Sequence, residues 1–136
     1  MKTISNSQLT IRVSPHGAEL CNIVCNGKEY LWQADPSFWK RHSPVLFPIV
    51  GSVWENEYRI DGATYNRTQH GFARDMNFEL IREQPDELRY RLADNEESRR
   101  RYPFPFRLEI GYRIQGKQIE VLWEVKNTGD KELHFQ

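Results

Sequence analysis

Apolar and polar residues alternate with a period of two over much of the chain. From Phe106 to Gln115 every second residue is apolar and most of the others are polar, and the alternation resumes from Ile119 to Lys126 after a turn at Gly116. One apolar face and one mostly polar face are typical of an antiparallel hairpin that covers a core on one side. The pattern therefore predicts two paired strands here.

Turn signals divide the remaining chain into further short strands. Asn26-Gly27 and Asp61-Gly62 tolerate positive φ and predict tight hairpins. Two strands over 76–82 and 87–92 are predicted to pair across Gln84-Pro85-Asp86. Many short strands joined by turns indicate an all-β fold, either an antiparallel β-sandwich or a barrel.

Three other segments are less regular. Residues 94–101 have a helix-like composition that Pro103 and Pro105 end at once, so we expect a helical turn within a loop. The stretch Pro44–Gly51 is apolar on both faces and interrupted by prolines, which predicts a buried, irregular crossing segment. Residues 131–136 are expected to form a final strand.

Composition narrows the range of functions. The chain has 136 residues with 19 basic and 19 acidic side chains, so its net charge gives no reason to expect nucleic acid or an anionic membrane as a partner. No apolar stretch approaches the roughly 20 residues that span a bilayer, and no secretory signal is recognisable at the N-terminus. We expect a globular cytoplasmic protein. Cys21 and Cys25 would lie about 13 Å apart on one strand face, too far for a disulfide, which predicts two reduced thiols.

The run Gln69-His70-Gly71-Phe72-Ala73-Arg74-Asp75 is the first candidate site. Gln69, His70 and Arg74 could together hydrogen-bond a ring of hydroxyls, and Arg74 could hold an anion through two parallel bonds. By pattern alone, a histidine beside a glycine is more often structural.

A second candidate cluster precedes the proline-rich segment. Arg41 and His42 lie beside apolar residues, where charge is costly unless it is paired or exposed in a pocket, and Trp39 is an aromatic that could equally belong to the core. A sugar site fits this mixture, since a pyranose presents apolar C–H faces to aromatics and hydroxyls to fixed polar groups.

Other catalytic patterns are absent from the sequence. It contains no glycine-rich phosphate loop, no Gly-x-Ser-x-Gly and no His-Glu-x-x-His. The four histidines are scattered, so their spacing does not support a metal site.

These motifs resemble the aldose 1-epimerase (galactose mutarotase-like) family, in particular its bacterial branch without an assigned sugar and the hexose-6-phosphate epimerases. The resemblance covers essentially the whole chain. It is carried by Pro44–Gly51, by the segment Tyr58–Tyr65, by Gln69–Asp75, by His16–Leu20 and by Val125–Asp130.

The resemblance implies a fold and a reaction. The fold is an antiparallel β-supersandwich, of which residues 1–136 would be the N-terminal portion of a single domain. The reaction is the interconversion of α and β anomers of a hexose or hexose phosphate, with a glutamate as general base, a histidine as general acid and no cofactor. His70 matches the histidine that orients the substrate, and Gln69, Arg74 and Arg41 match substrate-binding positions.

The chain also departs from the family pattern. No residue in it matches the general acid or the general base; His134 lacks the Gly-x-His-Pro context, and the position after Gly51, often basic in relatives, is Ser52. The first interpretation is therefore the carbohydrate-binding portion of a mutarotase, and the alternative is a sugar-binding β-sandwich module without turnover. A third is a structural domain in which His70 and Arg74 merely pair with neighbouring carboxylates. Because half a sandwich would leave a sheet uncovered, we also expect a homodimer through an exposed sheet or strand edge.

Overall fold

Two four-stranded antiparallel sheets and a separate hairpin make up the structure, a computed structural model that describes residues 1–136. The first sheet contains, in spatial order, β1 (Lys2–Ser5), β2 (Leu9–Val13), β3 (Leu20–Cys25) and β4 (Lys28–Glu29). The hairpin consists of β5 (Glu57–Ile60) and β6 (Ala63–Asn66). The second sheet contains, in spatial order, β7 (Glu79–Glu83), β8 (Glu87–Ala93), β9 (Phe106–Gln115) and β10 (Gln118–Asn127).

The strands form where alternation and turn chemistry predict them, and the all-β antiparallel sandwich is confirmed. In the β9–β10 hairpin Ile114 pairs with Ile119 and Leu108 with Val125, which places the apolar residues of both strands on one face. The only α-helix, α1 (Glu96–Arg101), begins at a capping box in which Asn95 accepts a hydrogen bond from the backbone of Ser98. It is the short helical turn that composition indicates, and no helix of the structure is long and apolar enough to cross a membrane.

Both sheets contribute to one hydrophobic core. Ile11 and Val13 of β2 and Leu88 and Ile110 of the second sheet are completely buried within it. The hydroxyl of Tyr112 crosses from β9 to donate a 2.7 Å hydrogen bond to the carbonyl of Ala18 beside the first sheet. This hydrogen bond offsets the cost of desolvating the phenol and fixes how the two sheets align.

The predicted polar face of the second sheet is more buried than its sequence suggests. Glu87 is 2% exposed and Glu109 is 6% exposed. Glu87 accepts hydrogen bonds from Arg113, and Glu109 accepts one from Arg91 at 3.0 Å. The arginines cover the carboxylates, which is how a charge can lie this deep.

The segment Pro44–Gly51 crosses the core without forming a strand, as predicted. Val45, Phe47 and Ile49 are buried, and the Phe47 ring contacts the rings of Phe72 and Phe106 at centroid distances of 6.3 and 5.1 Å. This aromatic packing anchors the segment on which the candidate site depends.

The predicted strand over 131–136 is wrong. After β10 the chain turns away, with the side chain of Asn127 accepting a bond from Gly129 N–H and donating one to the carbonyl of Lys131. The following residues form no strand and lie across the proline-rich segment, where Gln136 N–H donates to the Pro48 carbonyl at 3.0 Å. The asparagine turn takes the backbone groups out of register with the sheet, an effect that alternation alone does not reveal.

Two further predictions concern the cysteines and the uncovered sheet. Cys21 and Cys25 are free thiols, as expected. On β10, which pairs only with β9, Val121 and Trp123 are 48% and 50% exposed although they share a face with the core residues. Part of the apolar face of the second sheet is therefore uncovered.

Candidate functional site

The loop 67–75 is fastened to the proline-rich segment by reciprocal hydrogen bonds. The N–H of His70 donates to the carbonyl of Gly51 at 2.7 Å, and the N–H of Gly51 donates to Nδ1 of His70 at 2.9 Å. Phe72 N–H and Ala73 N–H both donate to the carbonyl of Phe47, at 3.0 and 3.2 Å. The core-anchored segment thus determines where His70 lies.

Two residues in this loop have left-handed backbone. His70 has φ of 66° and Gly71 has φ of 72°. A Cβ at Gly71 would lie 2.1 Å from the carbonyl oxygen of Phe47, so only glycine allows the two segments to approach this closely. The glycine in the Gln-His-Gly motif is thus required by packing.

The hydrogen bond from Gly51 assigns the tautomer of His70. A ring nitrogen that accepts an N–H bond carries no proton, so the proton of the neutral imidazole resides on Nε2. Nε2 has no hydrogen-bond partner within the protein and remains free to donate to a ligand oxygen. The purely structural interpretation expects His70 and Arg74 to pair with carboxylates. Arg74 does lie 3.7 Å from Asp75, whereas the ring partner of His70 is the Gly51 N–H.

His70 lines an open cavity of about 500 Å³. The other residues of its wall come from the two predicted clusters and the segment between them: Trp39, Ser43, Pro44, Leu46, Gln69 and Arg74. The structure therefore brings Gln69, His70 and Arg74 together on one concave surface, next to an aromatic side chain. A cavity with one exposed indole and several polar groups has the character of a carbohydrate site.

Arg74 and Arg41 are held through a shared carboxylate. Arg74 Nη2 donates to the carbonyl of Gln69 at 2.8 Å, and its Nε lies 3.7 Å from Asp75. Arg41 Nη2 donates to the other oxygen of Asp75 at 2.7 Å. Arg41 does not line the cavity. It can affect a bound ligand only indirectly, by holding Asp75 beside Arg74.

Glu19 holds in place the part of the cavity wall that contains Ser43. Its Oε1 accepts the backbone N–H bonds of His42 and Ser43 at 2.8 and 3.1 Å, and the Ser43 hydroxyl donates to the carbonyl of Leu20. These bonds hold Ser43 and the following proline in place. Sequence analysis assigned no role to Glu19, because its partners lie more than twenty residues away.

Glu19, Cys21 and His42 also form the one group of potential metal ligands whose ligating atoms lie within 4.8 Å of one another. The histidine spacing gave no sign of it. Its geometry is explained by the loop bonds of Glu19 and by a hydrogen bond from the Cys21 thiol to the Glu19 carbonyl at 3.3 Å. Burial, followed by the nearby Glu19 charge, raises the pKa of the Cys21 thiol, which disfavours the thiolate that a metal needs.

A second cavity, of about 540 Å³, adjoins the first at Gln69, which lines both. Its wall contains no hydrophobic side chain. Arg67, one of its lining residues, is only 7% exposed and was not among the residues that the sequence singled out. Its burial results from tertiary contacts with Tyr58 and Tyr102, which the local sequence does not indicate.

Comparison with known proteins shows the family to which the chain belongs. The family model described as aldose 1-epimerase matches residues 1–136. The plasmid form of protein LacX from Lactococcus lactis subsp. lactis is 33% identical over 91% of this chain and 44% of its own length.

Solved structures agree with this match. A galactose mutarotase related enzyme from Lactobacillus acidophilus superposes with a TM-score of 0.97 at 39% identity, covering 98% of this chain and 45% of that protein. A galactose mutarotase-like protein from Lactobacillus casei gives a TM-score of 0.96 at 34% identity, over 99% of this chain and 47% of that protein. The chain thus spans less than half the length of these relatives.

Proposed function

Because the chain belongs to the aldose 1-epimerase family, we propose that it provides the substrate-orienting part of a mutarotase site, for interconversion of the α and β anomers of a hexose or hexose phosphate. The observation that carries the proposal is the convergence of Gln69, His70 and Arg74 on one cavity, with the Nε2 proton of His70 left free by the Gly51 bond. The N-terminal portion of a single sandwich domain remains our interpretation of residues 1–136.

Each wall of the cavity has a role in this proposal. The Trp39 indole packs against the apolar C–H face of a pyranose. Gln69 donates hydrogen bonds to its hydroxyls or accepts them, and Arg74 donates. His70 donates from Nε2 to a sugar oxygen and fixes the ring in one orientation. Positioning of this kind lowers the barrier to a reaction whose proton transfers are performed by other groups.

The proton-transfer groups are not assigned to this chain. Ring opening needs a base on the anomeric hydroxyl and an acid on the ring oxygen, and each such positioned group contributes about 10²–10⁴-fold. No residue of the chain matches either one. We therefore expect the chain to bind sugar with little or no turnover by itself, which is also what a non-catalytic sugar-binding module would do.

Saturation-transfer NMR with glucose and galactose tests the binding role, and polarimetry of freshly dissolved α-anomers tests turnover. The expected result is saturation transfer to ring protons that is lost in Trp39→Ala and retained in Trp54→Ala, an exposed tryptophan outside the cavity. If saturation is transferred to neither glucose nor galactose, the proposal is overturned. Enzyme-like acceleration that disappears in His70→Ala would show that the chain contains its own acid and base.

A further inference from the structure

Arg67 is a buried cation without a counter-charge. It is 7% exposed, forms no ion pair with any carboxylate, and its Nε is buried without a hydrogen-bond partner. The two other charged residues buried to this extent, Glu87 and Glu109, each contact several arginines. An unpaired buried charge is costly, and a bound anion would compensate it.

The packing of Arg67 holds its guanidinium in place without saturating it. The guanidinium carbon lies 3.9 Å from the centre of the Tyr58 ring and 5.2 Å from that of Tyr102. Stacking on ring faces uses the plane of the guanidinium and leaves its in-plane N–H donors available. Burial raises the pKa of the Tyr58 phenol, and the neighbouring Arg67 partly offsets this through a hydrogen bond and its charge.

The cavity that Arg67 lines has a positive and fully polar wall. Arg101 lines it as well, and none of its lining residues is acidic. Ser52 and Thr68 add hydroxyl groups, and Gln69 adds an amide. Hydroxyl and amide donors around a guanidinium are the groups that bind a tetrahedral oxyanion such as phosphate.

We infer that Arg67 anchors an anion subsite that takes the phosphate of a phosphorylated sugar whose ring lies against His70. Gln69 lines both cavities, so the phosphate and the ring of one sugar could occupy them together. The inference therefore rests on the proposed function. It assigns the anion to Arg67 and leaves Arg74 to the sugar, since Arg74 lies 3.7 Å from Asp75 and its Nη2 donates to the Gln69 carbonyl, whereas Arg67 pairs with no carboxylate.

Titration calorimetry with inorganic phosphate, glucose and glucose 6-phosphate tests this assignment. We expect glucose 6-phosphate to bind at least about tenfold more tightly than glucose, since charge-assisted bonds are the strong ones. Arg67→Gln should remove that advantage and the binding of inorganic phosphate. Arg59→Gln, which removes an exposed arginine from the neighbouring β5 strand, should change neither by more than about twofold.

A second variant guards against loss of packing around Arg67. Ser52→Asp places a negative charge at the cavity wall from an exposed position and leaves the tyrosine stack intact, so it should weaken both phosphate ligands about tenfold or more while leaving glucose unchanged. In the unmodified chain, phosphate should also shift the Nε–H resonance of Arg67.

The outcomes separate the subsite from the function on which it rests. Equal affinity for glucose and glucose 6-phosphate, or phosphate affinity unchanged in both Arg67→Gln and Ser52→Asp, overturns the subsite while sugar binding stands. Phosphate binding that depends on Arg67, with no affinity for either sugar, overturns the sugar function and its link to this anion.

Discussion

The backbone N–H of Gly51 donates to Nδ1 of His70 at 2.9 Å, while the N–H of His70 donates to the Gly51 carbonyl at 2.7 Å. This reciprocal pair connects the imidazole to a segment that the Phe47 ring anchors in the core. The hydrophobic core therefore sets both the position and the tautomer of the side chain on which the proposed function depends. Rigid support of this kind is what a binding site needs in order to discriminate among similar ligands.

Gly71 gives the most direct test of how closely the two segments approach. Gly71→Ala places a Cβ 2.1 Å from the Phe47 oxygen, and we expect it to lower the free energy of unfolding by about 4 kcal/mol or more, or to prevent folding. Gly62→Ala is the matched control, because Gly62 also has positive φ but no atom lies within 4 Å of the added Cβ. It should cost only about 1–2 kcal/mol in urea denaturation. Similar losses in both variants would contradict the packing argument.

Arg74→Ala should weaken sugar binding whether or not the sugar is phosphorylated. The variant removes a guanidinium that lines the cavity and holds the Gln69 carbonyl at 2.8 Å, so the loss should be about 1.5–3 kcal/mol for glucose and glucose 6-phosphate alike. Arg74→Lys keeps the charge but loses the planar fork, and should recover only part of the affinity. Calorimetric titration measures both. Unchanged affinity in Arg74→Ala would remove this residue from the site.

Acid should destabilise the fold partly through Glu87. Hydrogen bonds from Arg113 and the charges of Arg82 and Arg89 outweigh desolvation and hold the pKa of Glu87 below its ordinary value of 4.5. A carboxylate whose pKa is lower in the folded state stabilises the protein above its unfolded pKa and loses that effect as the pH falls through the folded pKa.

We therefore expect Glu87→Gln to lower the free energy of unfolding by about 1–3 kcal/mol at pH 7, with the difference from the parent shrinking below pH ~4.5. Urea denaturation between pH 7 and pH 3 measures it. Glu96→Gln is the control, since Glu96 forms only an exposed pair on α1, and it should cost less than about 1 kcal/mol throughout. A difference in the free energy of unfolding between Glu87→Gln and the parent that is as large at pH 3 as at pH 7 would contradict the assignment.

The exposed apolar residues of β10 predict self-association. Val121 and Trp123 lie on β10, an edge strand that pairs with β9 on one side only and can pair with a second copy of the chain on the other. Sedimentation velocity should show a dimer that forms with rising concentration and that Val121→Lys weakens at least tenfold. Val50→Lys, at an equally exposed valine outside any strand, should leave it unchanged. A monomer at all concentrations would refute the prediction.

Most of the fold can be predicted from local sequence because it consists of hairpins. The β9–β10 pair and the Asp61-Gly62 turn follow from alternation and from positive-φ dipeptides, both of which act over a few residues. The error over 131–136 has a different origin. After Asn127 the chain turns away from the sheet, and residues 131–136 contact the proline-rich segment, more than eighty residues earlier in the chain. No local pattern encodes that contact.

The candidate site was only partly predictable for the same reason. The adjacent residues Gln69 and His70 were identifiable because the motif places them together. Glu19 and Arg67 were not, because Glu19 acts on a loop more than twenty residues away and Arg67 looks like an ordinary surface cation until the tyrosines enclose it. The bonds from Glu19 to the His42–Ser43 backbone and the unpaired charge of Arg67 arise only from tertiary contacts.

The proposed function depends on His70 donating from Nε2 to a sugar in the cavity it lines. Long-range ¹⁵N–¹H NMR of the histidine rings during titration with glucose or galactose tests for this hydrogen bond. We predict an Nε2-protonated His70 whose Nε2 signal shifts on saturation, with no shift at His16, whose ring is bonded to Asn77 on the surface. His70→Ala should abolish binding and His16→Ala should not. An Nδ1-protonated His70, or saturating sugar that leaves the His70 signals in place, would contradict the account.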